Sequence, residues 1–281
     1  MKNVTIIMIK RIMKRVDCVS LSSINLLGLT KSYGKQEAVH GIDLSVNKGE
    51  LFGFLGPNGA GKTTTIKMMT GLLEPTSGKV EVNGTDIWSH PIEAKKMIAY
   101  VPDQPNLYPK LTGWDYLHFV ASVYKLDKNE YITKAEELLQ IFNLTDRAND
   151  LIEGYSHGMK QKIAICGALV HSPDVLFLDE PTVGLDPKSA RNLKKLLREL
   201  CDKGMTVFIT THILEIAEQL CDRIGIILDG SIIALGSMDE LKKQEGSADR
   251  SLEDIFLELT GDEEQQALIS EISKVEQGDP K

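Results

Sequence analysis

An excess of positive charge is the first thing missing from this 281-residue chain. Lysine and arginine number 32 against 40 aspartates and glutamates, a formal net charge of −8. An isoelectric point near 5.4 argues against a general nucleic-acid binder, which presents a basic domain. Long apolar runs are missing too. No aliphatic stretch approaches the roughly 20 residues a helix needs to cross a bilayer, so the chain is expected to span no membrane by itself. Cysteine is scarce: Cys18, Cys166, Cys201 and Cys221 form no C-x-x-C pair. That spacing suggests neither a zinc site nor a disulfide framework, and points to incidental free thiols in a reducing compartment. There is no repeat of about 20–50 residues and no low-complexity tract. What is present is ordinary, with 42% hydrophobic and 26% charged residues. The length fits one large domain or two small ones, with a real core and no staples.

The two ends differ from the middle. Residues 1–15 hold Lys2, Lys10, Arg11, Lys14 and Arg15 and no acid. The apolar stretch Val4–Ile9 is too short for a secretory signal. A basic arm touching a membrane surface, a tail, and a start assigned upstream of Met13 are competing readings, and a tail outside the core is expected. Beyond Thr260 the chain turns acidic, from Asp262, Glu263 and Glu264 to Glu271, Glu276 and Asp279. A solvated helix is expected there.

Between the ends, residues 24–55 alternate short apolar segments with turn residues, as strands do. Leu51–Leu55 is an apolar run of strand length, and Ile66–Leu73 reads as a helix. From about Gly113 to Phe142 apolar residues recur at spacings of three and four, so a helical block interrupts the strands. Strands are expected again at Val175–Leu178 and Val207–Thr210, with a basic amphipathic helix over Ala190–Cys201 between them. Ile224–Leu228 and Ser231–Leu235 around Asp229-Gly230 read as a hairpin.

Two motifs carry chemistry. Gly56-Pro57-Asn58-Gly59-Ala60-Gly61-Lys62-Thr63 matches G-x-x-x-x-G-K-[ST] in full. Its glycines let several backbone N–H groups face one anion, and the helix that begins there adds its positive end. Lys62 is expected to reach the β- and γ-phosphates of a nucleotide and the Thr63 hydroxyl to ligate Mg²⁺. Thr64 completes the loop. The second motif is the strand Val175–Leu178 running into Asp179-Glu180. Open α/β sheets bind ligands at such strand ends. Asp179 is expected to hold Mg²⁺ and Glu180 to orient or deprotonate the attacking water. A kinase has less need of that second acid; an NTPase must activate water.

With these motifs in place the chain resembles the nucleotide-binding subunit of an ABC transporter. Tyr33 lies upstream of the loop, where the family places an adenine-stacking aromatic. Tyr100-Val101-Pro102-Asp103-Gln104 resembles the glutamine loop, which implies that Gln104 touches Mg²⁺ and the lytic water. Tyr155-Ser156-His157-Gly158-Met159-Lys160-Gln161 resembles the signature, with Ser156 and Gly158 retained and His157 a departure from the commonest form. Gly184-Leu185-Asp186 resembles the D-loop at the dimer interface, and Thr211-His212 the switch histidine. The resemblance runs from about Leu26 to Gly236.

It implies an α/β P-loop NTPase fold: a RecA-like core with an N-terminal antiparallel β-subdomain, plus an inserted α-helical subdomain at about 104–167. The tail would be 1–23, the ATPase domain 24–236 and the C-terminal extension 237–281. It further implies ATP and Mg²⁺ as ligands. Glu180, His212 and Gln104 would be catalytic, and Thr63, Gln104 and Asp179 would lie at the metal. A second ATPase subunit would supply Ser156 and Gly158 in trans, and an integral membrane permease would be the partner at the cytoplasmic face of the membrane. The signature variant and the segment Ser251–Leu259 resemble exporters of the drug, antibiotic and sodium-efflux type. An importer ATPase and a soluble ABC ATPase of ribosomes or chromosomes are the alternatives. The single cassette without a sustained heptad argues against the latter. No nucleic-acid partner is expected.

Overall fold

The computed structural model describes residues 22–244 and 251–260. The basic N-terminal segment, Cys18 and the acidic stretch from Asp262 onward lie outside the described residues. In chain order the elements begin with β1 (Ser22–Tyr33), β2 (Gln36–Asn47), β3 (Leu51–Leu55), α1 (Lys62–Met69), β4 (Ser77–Val82) and β5 (Thr85–Asp86). Then come α2 (Pro91–Met97), β6 (Ile98–Val101), α3 (Gly113–Val123), α4 (Lys128–Ile141), α5 (His157–Val170) and β7 (Val175–Asp179). The last are α6 (Pro187–Asp202), β8 (Thr206–Thr211), α7 (Leu214–Leu220), β9 (Arg223–Leu228), β10 (Ser231–Gly236), α8 (Met238–Gln244) and α9 (Leu252–Thr260).

The strands form two sheets. One is antiparallel, in the order β2-β1-β4-β5; the other runs β10-β9-β3-β8-β7-β6. In the second sheet β9, β3, β8, β7 and β6 are parallel neighbours and β10 closes the edge antiparallel to β9. Every residue of β3, β7 and β8 is buried, which is why these segments read as unbroken apolar runs and not as alternation. The period of two still sorts their side chains. Leu176, Leu178, Val207 and Ile209 face the helices α3–α6. Val175, Phe177, Phe52, Phe54 and Phe208 face α1 and the antiparallel sheet. Phe52 and Phe208 stack with centroids 5.4 Å apart; each such ring contributes about 1.5–3 kcal/mol on burial.

The helical block between β6 and β7 follows local rules. Thr112 and Asp115 form a capping box at the start of α3. Lys125 takes a left-handed φ of 55°, and Asp127 caps α4 from its own side chain, so the apolar period breaks into two helices. α1 begins at Lys62, four residues before the expected Ile66, because Gly61 is its N-cap. It stops at Met69 before Gly71, whose φ is 66°. The C-terminal α9 buries Leu252 and Ile255 in a third cluster with Leu55, Ala217 and Ile226. Among the described residues no helix is long and apolar enough to cross a membrane.

Candidate functional site

The site is built at the carboxyl ends of β3, β7 and β8, adjacent strands of the parallel sheet. Leaving β3, the loop has no room for a side chain at Gly56 or Gly61. A Cβ on Gly56 would lie 2.3 Å from the Ile227 carbonyl oxygen, and Gly61 takes φ 106° beside the Ala38 carbonyl. The chain then enters α1, so the first N–H groups of a helix face the loop. Lys62 is buried, and its ammonium donates to the Gly56 carbonyl at 2.7 Å and the Pro57 carbonyl at 3.1 Å. Burial pulls the Lys62 pKa below its ordinary value, while the charges of Glu180 and Asp179 act against that shift.

Asp179 ends β7 and is also buried. Thr63 Oγ1 donates to its Oδ2 at 3.2 Å, and the Thr210 hydroxyl donates to its Oδ1. Glu180 follows with a left-handed φ of 49°, unusual for a residue with a side chain. Its Oε1 lies 2.9 Å from His212 Nδ1. Its Oε2 is shielded and has no hydrogen-bond partner among the described residues. Thus Lys62, Thr63, Asp179, Glu180 and His212, spread over 150 positions of sequence, form one linked cluster.

A cleft of about 250 Å³ lies over this cluster, lined by Ala38, Asn58, Gly59, Gly61, Lys62, Thr63, Thr64, Asp103, Asp179 and Glu180. Gly56 and Pro57 serve it through their carbonyls to Lys62, and Ala60 is buried beneath. Other expected residues stand apart from the cleft lining. Gln104 is exposed and its neighbour Asp103 lines the cleft instead. Tyr33 is half exposed at the end of β1, with the Lys31 ammonium 5.5 Å from its ring centre.

Ser156 caps α5, accepting from Met159 N–H at 3.3 Å. A Cβ on Gly158 would lie 2.6 Å from the Gly184 carbonyl, and one on Gly184 would lie 2.3 Å from the His157 ring. The signature-like and D-loop-like segments therefore abut each other within one chain, with His157 exposed at their rim. Asp186 caps α6 through Ser189 and pairs with Lys162 at 3.0 Å. The hydrogen bonds from the Ser189 hydroxyl and backbone, then that from Lys162, hold its carboxyl well below the usual carboxylate range.

Two residues of this site were not among the sequence expectations. Thr210 requires the knowledge that β8 lies beside β7, although a threonine closing an apolar strand just before Thr211-His212 was a visible signal. Asp103 lies one position before Gln104 and lines the cleft.

The strand order, the phosphate loop and the paired carboxylates define an α/β phosphate-loop NTPase. The chain belongs to the ABC transporter family, whose pattern matches residues 39–183, and it is an ATP-binding, ATP-hydrolysing subunit of such a transporter. It is 44% identical over 232 residues to the linearmycin resistance ATP-binding protein LnrL of Bacillus subtilis (strain 168), covering 83% of this chain and 73% of that one. It is 40% identical over 217 residues to the bacitracin transport ATP-binding protein BcrA of Bacillus licheniformis, with 77% and 70% covered. A solved ATP-binding subunit of an ABC transporter superposes with a TM-score of 0.82 at 34% identity, covering 85% of this chain and 99% of that chain. A dimeric ATP-binding cassette bound to ADP and Pi superposes with a TM-score of 0.71 at 28% identity, covering 76% and 98%.

Proposed function

We propose that this subunit powers export of a substrate through a separate integral membrane permease, working as one of two ATPase subunits at the cytoplasmic face of the membrane. The observation that carries export is the group of relatives it resembles. Beside the linearmycin and bacitracin proteins stands a fluoroquinolones export ATP-binding protein of Mycobacterium tuberculosis, 40% identical and covering 80% of this chain.

The site residues take the following roles. Backbone N–H groups of residues 58–64 and the α1 N-terminus receive the phosphates, and Lys62 exchanges its carbonyl partners for phosphate oxygens, the stronger charged acceptors. The Thr63 hydroxyl and the Asp179 carboxylate, 3.2 Å apart, are hard oxygen donors of the kind Mg²⁺ takes. They would hold it; when bound, it neutralises charge on the β- and γ-phosphates. Thr63 can offer a lone pair to the ion while its own hydroxyl proton still donates to Asp179 Oδ2. Glu180 Oε2, shielded and without a partner among the described residues, accepts the proton of the attacking water, and His212 steadies the opposite carboxylate oxygen. Ser156 and Gly158 of a second subunit close over the γ-phosphate, Asp186 lies at that interface, and Tyr33 stacks on the base. Asp103 bears on the metal side of the cleft directly. Gln104 reaches it only if the loop after β6 rearranges.

The permease contact is assigned to the groove between that loop and the helices α3 and α5. It holds about 360 Å³ and is lined by Pro105, Asn106, Leu107, Tyr116 and Val120 among others. Exposed Tyr108 and Phe119 meet edge to face beside it, 5.3 Å apart.

Transport direction is tested with inside-out membrane vesicles from cells expressing the chain with its permease. ATP added outside should load the lumen with the transported compound, and Lys62→Ala should abolish loading. Loading of right-side-out vesicles carrying ATP in the lumen would mean import.

A further inference from the structure

We propose that Thr210 is a positioning residue for ATP hydrolysis, one hydroxyl that sets both carboxylates of the site. The proposal rests on Asp179 and Glu180 being the metal-side and water-side acids assigned above.

The argument starts with register. β7 and β8 are parallel neighbours, and Asp179 pairs with Thr210 across them. Thr210 is fully buried, so its hydroxyl must find partners inside the protein. It finds two. Its proton goes to Asp179 Oδ1. Its oxygen accepts the Glu180 N–H at 3.3 Å, a hydrogen that also reaches the Thr210 carbonyl at 3.1 Å. Thr63 donates to the other oxygen of Asp179. The carboxylate is therefore held from both sides, by the phosphate loop and by β8, and cannot swing without losing a charge-assisted hydrogen bond.

The second partner matters as much. Glu180 sits at φ 49°, a backbone state that persists only where the surroundings over-determine it. Thr210 supplies both acceptors for the N–H at that bend. Two positions further on, the same strand delivers His212 to Glu180 Oε1. One strand end thus orients the metal-side acid, the water-side acid and the histidine that steadies it. A valine keeps the shape and β-branching of Thr210 and removes only the hydroxyl. Asp179 Oδ1 would then be left buried without that donor.

The test uses the full-length chain. Equilibrium binding of a fluorescent ATP analogue is measured with and without Mg²⁺, alongside steady-state hydrolysis, for wild type, Thr210→Val, Thr210→Ser and Asp179→Asn. Thr210→Val should raise the Mg²⁺ concentration for half-maximal binding by about tenfold, the loss expected for one hydrogen bond to a charged group. It should lower kcat more than it changes KM, and leave metal-free binding unchanged. Thr210→Ser should restore the wild-type Mg²⁺ dependence. Should Thr210→Val fail to fold, Thr210→Ala carries the same expectation. A wild-type Mg²⁺ dependence in the hydroxyl-free variant, or a serine variant that behaves like valine, overturns the role of the hydroxyl. If Asp179→Asn also leaves the Mg²⁺ dependence unchanged, the assignment of the metal-side acid falls and this proposal with it. If Asp179→Asn shifts it and Thr210→Val does not, only this proposal falls.

Discussion

At the residue scale the site works through a few groups with opposed requirements. Lys62 is a buried ammonium whose desolvation disfavours charge, an effect that Glu180 and Asp179 oppose but do not cancel. Its two present acceptors are loop carbonyls, and phosphate oxygens are better ones. Lys62→Ala should therefore weaken ATP affinity at least about tenfold, as loss of a charged hydrogen-bond donor does. Calorimetric titration checks this; an unchanged affinity would remove Lys62 from the phosphate contact. Asp103 and Gln104 make a second test. Because Asp103 lines the cleft and Gln104 is exposed, Asp103→Asn should alter the Mg²⁺ dependence of hydrolysis more than Gln104→Ala does. The reverse ranking would show that the loop after β6 moves in the working enzyme. That Asp103 and not Gln104 lines the cleft has a physical origin. Around Pro102 and Pro105 the chain makes no regular element, so no periodicity tells which of two adjacent polar residues turns inward.

At the element scale, helix starts carry the functional segments. α5 begins at His157 with Ser156 as its cap, and α6 begins at Pro187 with Asp186 as its cap. The two starts meet where Gly158 approaches Gly184. Gly158→Ala would place a methyl 2.6 Å from a backbone carbonyl, so the start of α5 must shift. ATP binding to the single chain should persist, and hydrolysis should fall if the signature-like segment closes over the γ-phosphate as proposed. Loss of binding instead would relocate the role of α5. The Asp186 cap makes a pH prediction. Its carboxyl is held below its ordinary value of 3.8, first by the Ser189 hydroxyl. The stabilisation is thus fully present above that value and is lost below it, as pH falls through the lowered value of the folded chain. Asp186→Ala should cost about 1 kcal/mol, as N-cap losses do, at neutral pH, and the gap to wild type should narrow as acid is added. Urea unfolding at several pH values checks this; a gap independent of pH would mean that the carboxylate charge plays no part. The caps show what was legible. Asp186-Pro187 marks a helix start in the sequence alone, because capping and proline preference are local. The Asp179–Thr210 and His212–Glu180 pairings are not local. They depend on the order β3-β8-β7, which no window of sequence contains.

At the scale of the whole molecule, one sheet organises everything. Its interior strands bury both faces, with aromatics toward α1 and aliphatics toward the helical layer; their carboxyl ends deliver the loop and the acids to one cleft and bring His212 to Glu180. The phosphate loop and Asp179-Glu180 were readable because each is contiguous and its chemistry demands that spacing. The two-sheet architecture followed from the family resemblance, whereas β5 and α2, both short, left no periodic signal. The net charge of −8 does not oppose phosphate binding, since the anion meets local N–H groups and Lys62 and not the global charge. Ser156, Gly158 and Asp186 stand outside the cleft lining of their own chain, which accords with a site completed by a second copy. The central claim is that Glu180 is the general base of hydrolysis in an ATP-bridged pair of subunits. It is tested most directly by light scattering of Glu180→Gln with Mg²⁺ and either ATP or ADP, with phosphate release followed in parallel. The account predicts turnover reduced at least about 100-fold, the lower bound for removing a positioned general base, with a two-chain species in ATP and a single chain in ADP. Turnover near the wild-type rate with a single chain in both nucleotides would contradict it.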